Sequence, residues 1–120
     1  MNEIMIQLDK LGAESADALA RFMDDEEMYT KYIREFPDEP TMTRLTAAVE
    51  NADYEEAEKA VHALKGIVNN LGFLPLADAA IDMLEELRDD NIEDALDAYK
   101  DVVEEYQKFT DVIREWRSAL

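Results

Sequence analysis

Apolar residues recur every three to four positions along most of this chain, and this spacing constrains its fold more than any other feature. The longest stripe begins near residue 92 and continues almost to the C-terminus, which predicts one helix of about 26 residues. Its members are Ala95, Leu96, Tyr99, Val102, Val103, Tyr106, Phe109, Ile113 and Trp116. Glycine and proline, with 3 residues each, rarely interrupt the pattern, so we predict an all-α fold.

Capping residues and helix breakers indicate where each helix begins and ends. Asp53 opens a capping-box pattern, and Gly72 is typical of a helix end. The residue before a proline disfavours the α conformation, so a helix should end at Phe36. Ser15 is the expected N-cap of a short helix. The predicted helices span residues 5–11, 15–23, 25–36, 38–51, 54–71, 74–88 and 92 to near the C-terminus.

The chain is long enough for one hydrophobic core and too short for two, so we expect residues 1–120 to form a single domain. Residues 1–23 should supply short N-terminal helices, and residues 25–118 should form a helical bundle. In the 25–36 helix, one side is predicted to carry Met28, Tyr32, Ile33 and Phe36. Short connections favour antiparallel neighbours, so the predicted architecture is an antiparallel four-helix bundle with additional short N-terminal helices packed across it.

The formal net charge of -18 argues against nucleic acid and membranes as partners, because both attract proteins largely through lysine and arginine. The chain has no cysteine and therefore no disulfide or cysteine-ligated metal. No apolar run approaches the roughly 20 residues of a membrane-spanning helix, and the N-terminus lacks the organisation of a signal peptide. We therefore expect a cytoplasmic protein.

His62, the single histidine, is predicted to point to solvent. With Leu64 at the centre of the buried face of the 54–71 helix, six residues fall within about 60° of it: Ala57, Ala60, Val61, Ile67, Val68 and Leu71. His62 lies about 160° away on the same helical wheel. The phase of the apolar stripe therefore argues against a buried, structural histidine.

Gly66 lies one turn after His62 in the middle of this helix, where glycine costs about 1 kcal/mol relative to alanine. A missing side chain there would let another protein approach the imidazole closely. The alternative is that Gly66 relieves crowding between packed helices. Its position on the polar side of the helix favours the first interpretation.

Lys59 and Lys65 lie three residues before and after His62 in an otherwise acidic chain. A nearby ammonium would favour a phosphoryl group, which carries about 1.5 to 2 negative charges. The alternative is that both lysines form solvated pairs with neighbouring glutamates. An imidazole in water is largely neutral and nucleophilic near neutral pH, and its second ring nitrogen could be oriented by Glu58 or Asn69.

The segment from His62 to Gly72, HALKGIVNNLG, resembles the signature H-x-L-K-G-x-x-x-x-L-G of the histidine-containing phosphotransfer (HPt) domain family. Similar spacing is found at Leu11-Gly12, Arg21-Phe22, the acidic segment before Tyr29 or Tyr32, Phe36, Asp53-Tyr54 and Leu84-Glu85. The chain departs from the family at Ile67 and Val68, where small or polar residues are common. Both positions fall on the buried face, so we expect altered core packing and an intact site.

The resemblance implies a four-helix bundle in which His62 accepts a phosphoryl group from an aspartyl phosphate of a response-regulator receiver domain and passes it to another receiver. Lys65 would then steady the phosphoryl group and Gly66 would provide steric clearance, while Lys59, Asn69 and Glu58 are candidates for docking or orientation. The receiver, or a hybrid histidine kinase that carries one, would supply Mg²⁺. The chain itself would bind no cofactor or metal and would act as a carrier, not as an enzyme.

Three other kinds of site do not fit the sequence. A carboxylate-bridged di-metal site in a helical bundle needs two Glu-x-x-His motifs, and the residue three positions before His62 is Lys59. An EF-hand starting at Asp89 would have Asp94 where glycine is required and Lys100 where glutamate is required. The chain also lacks a cysteine and a convincing histidine-centred triad, which argues against a hydrolytic enzyme.

The remaining alternative is an acidic helical interaction or scaffold protein, or a degenerate HPt domain that binds receivers without transfer. The sequence favours a free-standing monomer, and it leaves open the donor, the acceptor and the direction of net phosphate flow.

Overall fold

The computed structural model describes residues 2–120, which form seven α-helices and one short 3-10 helix without any strand. The helices are α1 (Glu3–Lys10), α2 (Ser15–Arg21), α3 (Glu26–Glu35), the 3-10 helix (Phe36–Asp38), α4 (Thr41–Glu50), α5 (Tyr54–Leu71), α6 (Leu74–Arg88) and α7 (Ile92–Ser118). The predicted all-α class is confirmed. None of these helices combines the length and the apolar character needed to cross a membrane.

The four helices α4 to α7 pack in chain order, α4 on α5, α5 on α6 and α6 on α7. Because short turns connect them, successive helices run antiparallel, as predicted for a four-helix bundle. Helices α1 and α2 lie against α7 and α5, and α3 contacts both α5 and α7. Aromatic rings fill the centre: Phe73 stacks on Phe109 with centroids 4.6 Å apart, and Phe36 meets Phe73 edge-on at 5.4 Å.

Helix α5 begins and ends where its capping residues predict. The carboxylate of Asp53 accepts a hydrogen bond from the backbone N–H of Glu56 at 3.2 Å, which satisfies one of the free donors of the first turn. At the other end, Gly72 adopts a left-handed conformation with φ of 83°. A Cβ at this position would lie 2.8 Å from the carbonyl oxygen of Glu14, so both the backbone angle and the packing require glycine.

The last carbonyl groups of α5 are capped by side chains from α2 and α3. The guanidinium of Arg21 donates from Nη2 to the carbonyl oxygens of Asn69 and Asn70 at 2.7 and 3.0 Å. The buried hydroxyl of Tyr29 donates to the carbonyl oxygen of Leu71 at 2.7 Å. These bonds satisfy acceptors that the helix itself leaves free, and they fix α2 and α3 against the end of α5.

Three local predictions about the N-terminal half were wrong. Ser15 is not an N-cap; it is the first residue of α2, and its hydroxyl and backbone N–H both donate to the carboxylate of Asp9 at 2.8 and 3.0 Å. Helix α4, the first of the bundle, begins at Thr41 and not at residue 38 as predicted, because the 3-10 helix occupies Phe36–Asp38. On α3, Ile33 is buried whereas Met28 is exposed. The stripe predicted for α3 is therefore divided between core and surface.

Replacing Tyr29 with phenylalanine tests the cap on α5. The variant should lower the free energy of unfolding by about 1–2 kcal/mol, because a buried carbonyl loses its partner. Burial, reinforced by the negative charge of Asp9 and opposed by Arg21, raises the pKa of Tyr29 in the folded protein. The wild type should therefore lose stability as the pH rises above about 10, where the unfolded tyrosine ionises, and Tyr29→Phe should lose less.

Urea unfolding at pH 7 and at pH 10.5 would measure both effects. Tyr32→Phe is the matched control, since Tyr32 is exposed on the same helix. Equal unfolding free energies for the two variants at pH 7 would show that the cap contributes nothing.

Candidate functional site

His62 projects from the middle of α5 into solvent, as its helical phase predicts. The buried face of the helix consists of Ala57, Ala60, Val61, Leu64, Val68 and Leu71. The prediction that Ile67 lies on this face is only partly met, because Ile67 is half-buried. The apolar stripe therefore fixes the rotation of α5, and this rotation leaves the imidazole accessible to another protein.

The imidazole of His62 makes no hydrogen bond or ion pair with any other residue of the described part of the chain. Glu58, one turn earlier, makes no hydrogen bond to it within residues 2–120, and Asn69 lies seven residues later, about 10 Å along the helix axis. The orienting role suggested for these two residues stays a prediction. Both ring nitrogens of His62 are free for a partner.

Lys65 and Lys59 have no carboxylate within ion-pair distance among residues 2–120. Glu56, one of the glutamates expected to neutralise them, pairs with Arg44 of α4 at 2.9 Å. Lys65 is partly buried beside Gly66, whereas Lys59 is exposed. The ammonium groups nearest in sequence to His62 therefore remain available to an incoming anion.

The space beside Gly66 is open. A Cβ built on this residue would meet no atom within 4 Å, apart from its own chain neighbours and helix backbone. Helix packing therefore does not require glycine here, which removes the alternative that Gly66 relieves crowding between helices. Because Gly66 follows His62 by four residues, the open space lies about 6 Å along the axis on nearly the same side of α5.

A groove of about 910 Å³ runs from this open space to α3, and we call it the α3–α5 groove. Its lining includes Ala63, Gly66 and Ile67 from α5, Met28 and Tyr32 from α3, and Phe22 at the end of α2. Sequence reasoning missed this groove, because helical spacing alone placed Met28 and Tyr32 on one side with the buried Ile33. In the structure, the side chains of Met28 and Tyr32 are 45% and 46% exposed, so they line the groove and do not enter the core.

No group of three or more histidine, aspartate or glutamate side chains within residues 2–120 is arranged to hold a metal ion. The site does contain an exposed imidazole with ammonium groups nearby in sequence and an open approach.

Gly66→Ala should stabilise the protein by about 0.5–1 kcal/mol, because alanine favours the helix and its methyl group meets no neighbour. Gly72→Ala is the matched control. It should destabilise the protein by at least about 1 kcal/mol, since the left-handed backbone disfavours a Cβ. Thermal or urea unfolding of both variants measures the two changes, and a destabilised Gly66→Ala variant would mean that the fold does require this glycine.

Comparison with known proteins agrees with this geometry. A family model described as the Hpt domain matches residues 27–116, a span that includes α5 with His62, Lys65 and Gly66. Searches of curated proteins and of solved structures gave no significant match. Since the matched span covers most of the 120 residues, the chain belongs to the Hpt domain family, whose members serve histidine phosphotransfer in phosphorelay signalling.

Proposed function

We propose that this chain is a phosphoryl carrier of a multistep phosphorelay, in which His62 accepts the group from a receiver-domain aspartate and passes it to another receiver. The receivers belong to response regulators or to a hybrid histidine kinase. One observation carries the proposal: within the family-matched span, the imidazole of His62 is exposed and unbonded, and Gly66 leaves its approach open. We expect the carrier to act as a cytoplasmic monomer.

In the accepting step, the lone pair of one imidazole nitrogen attacks the phosphorus of the aspartyl phosphate. An N–P bond forms as the P–O bond to the aspartate breaks, and the aspartate leaves as a carboxylate. The second ring nitrogen keeps its proton, so the phosphorylated ring is an imidazolium and a good leaving group. Attack by the aspartate of the next receiver reverses these changes and restores the neutral imidazole.

The residues around His62 have supporting roles in this proposal. Lys65, which has no carboxylate partner in the described chain, would offset the charge of the phosphoryl group while it resides on His62. Gly66 would leave room for the receiver loops that surround the reacting aspartate. Mg²⁺ would be held by the receiver and would neutralise charge on the transferring group, so the carrier contributes the nucleophile and the surface around it.

His62→Gln should abolish transfer while the fold persists. Purified receiver domains carrying labelled aspartyl phosphate would be mixed with wild type and variant, and acid-labile label would be measured on the carrier. Wild type should take up label and the variant none, since the amide cannot replace the imidazole nucleophile. Unfolding free energies within about 0.5 kcal/mol of each other would confirm that this exposed residue is not structural. Equal labelling of both proteins would exclude His62 as the acceptor.

Lys65→Gln should slow phosphoryl uptake by about threefold, because an exposed charge contact contributes on the order of 0.2–1 kcal/mol. Lys59→Gln is the matched control, with the same change of charge three residues on the other side of His62. The initial rates of labelling by one phosphorylated receiver compare the two variants. An equal effect at both positions would indicate only a change in overall charge and would remove the specific role of Lys65.

A further inference from the structure

Helices α4 and α7 border each other in the bundle without packing closely. Among residues 2–120, no Cα atom of α4 lies within 8 Å of one in α7, whereas the pairs α4–α5, α5–α6 and α6–α7 all meet at that distance. The hydroxyl of Tyr99 donates to that of Thr46 across the gap at 3.2 Å. Packed helices have axes about 8–10 Å apart, so this side of the bundle is open.

The gap contains a cleft of about 510 Å³, which we call the α4–α7 cleft. It is lined by side chains of α4 and α7 and by Pro37, and it shares no lining residue with the α3–α5 groove. Cavities of this volume are typical of sites for small organic ligands. The cleft is therefore a separate feature of the surface, which phosphoryl transfer at His62 does not use.

The body of the cleft is apolar. Met42 and Ala47 line it from α4 and Val103 from α7, together with the half-buried side chains of Tyr99 and Tyr106. Val103 is 37% exposed and is the only apolar residue among the exposed positions of α7. Removing this apolar surface from water would favour the binding of a hydrocarbon.

Hydrogen-bond donors without partners lie at one end of the cleft. The guanidinium of Arg114 makes no hydrogen bond or ion pair with residues 2–120, and Asp111, three residues earlier, accepts from Gln107 at 2.8 Å instead. The hydroxyls of Tyr106 and Thr43 also make no hydrogen bond within that range. Burial raises the pKa of Tyr106 and the positive charge of Arg114 opposes this increase, so the two groups lie within electrostatic reach of each other.

The acidic groups that act on this end from the neighbouring segment already have partners. Asp38 pairs with Arg117 at 2.8 Å, and the two carboxylate oxygens of Glu39 accept from Thr41 at 2.8 and 2.9 Å. Carboxylates more than about 8 Å away are largely screened at physiological salt. An anion at this end therefore meets the positive charge of Arg114, although the net charge of the chain is -18.

We propose that the α4–α7 cleft binds a small monocarboxylate with a hydrocarbon body, of the chemical class of a medium-chain fatty acid. The carboxylate accepts hydrogen bonds from the guanidinium of Arg114 and from the hydroxyls at that end, and the hydrocarbon lies along Ala47 and Val103. Glu50, which is exposed at the opposite end and unpaired within residues 2–120, disfavours a second anionic group. The site is independent of the phosphorelay.

Arg114→Gln tests the carboxylate end, with Arg88→Gln as the matched control. Arg88 is exposed at the end of α6, outside the cleft, and makes no hydrogen bond or ion pair within residues 2–120. Calorimetric titration with decanoate would measure the dissociation constant of each protein. Arg114→Gln should raise it by about tenfold or more, as expected for loss of a charged hydrogen bond, and Arg88→Gln by less than twofold. Equal effects of the two substitutions, or no binding to wild type at about 1 mM decanoate, would overturn the proposal.

Val103→Asp tests the apolar body, with Ile6→Asp as its control. Ile6 lies on α1, outside the cleft, and is 46% exposed compared with 37% for Val103. Val103→Asp should raise the dissociation constant for decanoate by about tenfold or more, because a charged group replaces an apolar contact, and Ile6→Asp by less than twofold. Urea unfolding establishes that both variants are folded. If folded Val103→Asp binds decanoate as wild type does, the ligand does not occupy the cleft.

Two related compounds test the charge of the ligand. Decanol lacks the carboxylate and decanedioate carries a second one, so wild type should bind each at least about tenfold more weakly than decanoate. Decanol that binds as tightly as decanoate would overturn the assignment of an anion. Sedimentation of wild type without ligand tests a second copy of the chain as the occupant. A dimer that Val103→Asp dissociates would show that the cleft is an interface and would also overturn the proposal.

Discussion

The carbonyl oxygens in the last turn of α5 are the constraint on which the surrounding structure depends. A helix leaves its final carbonyls without partners, and here Arg21 and Tyr29 supply donors from two other helices. Gly72 then turns the chain in a left-handed conformation, and its carbonyl accepts the backbone N–H of Glu14 at 2.9 Å. One helix end therefore positions the N-terminal segment, α3 and the start of α6 together.

This constraint also connects the core to the candidate site. The side of α5 facing α4 and α6 is buried, so the helix cannot rotate without exposing Leu64 and Val68. With rotation fixed by the core and the C-terminal end fixed by α2 and α3, the position of His62 relative to Met28 and Tyr32 is fixed as well. A nucleophile on a helix with two independent restraints needs little reorganisation when a partner arrives.

The sequence predicts α5 well because its apolar residues occupy one narrow arc and its two caps are unambiguous. The buried side of α3 is harder to predict, because large apolar residues lie on more than one side of this segment: Met28, Tyr29, Tyr32, Ile33 and, just after the helix, Phe36. Which of them is buried depends on the neighbours that α3 meets in the folded protein. Tyr29 is buried because its hydroxyl reaches the end of α5, and a helical wheel contains no information about that acceptor.

The three glycines of the chain differ in whether the fold requires them. Gly12 and Gly72 have positive φ angles, and a Cβ on either would lie 2.8 Å from a neighbouring atom, so the fold accounts for both. Gly66 is helical and has open space around it, so folding alone would favour alanine. A glycine that weakens its own helix and makes no compensating contact is expected where binding of another molecule requires the absence of a side chain. The place of Gly66, one turn from an exposed histidine and on the floor of an apolar groove, supports a partner protein as the source of that requirement.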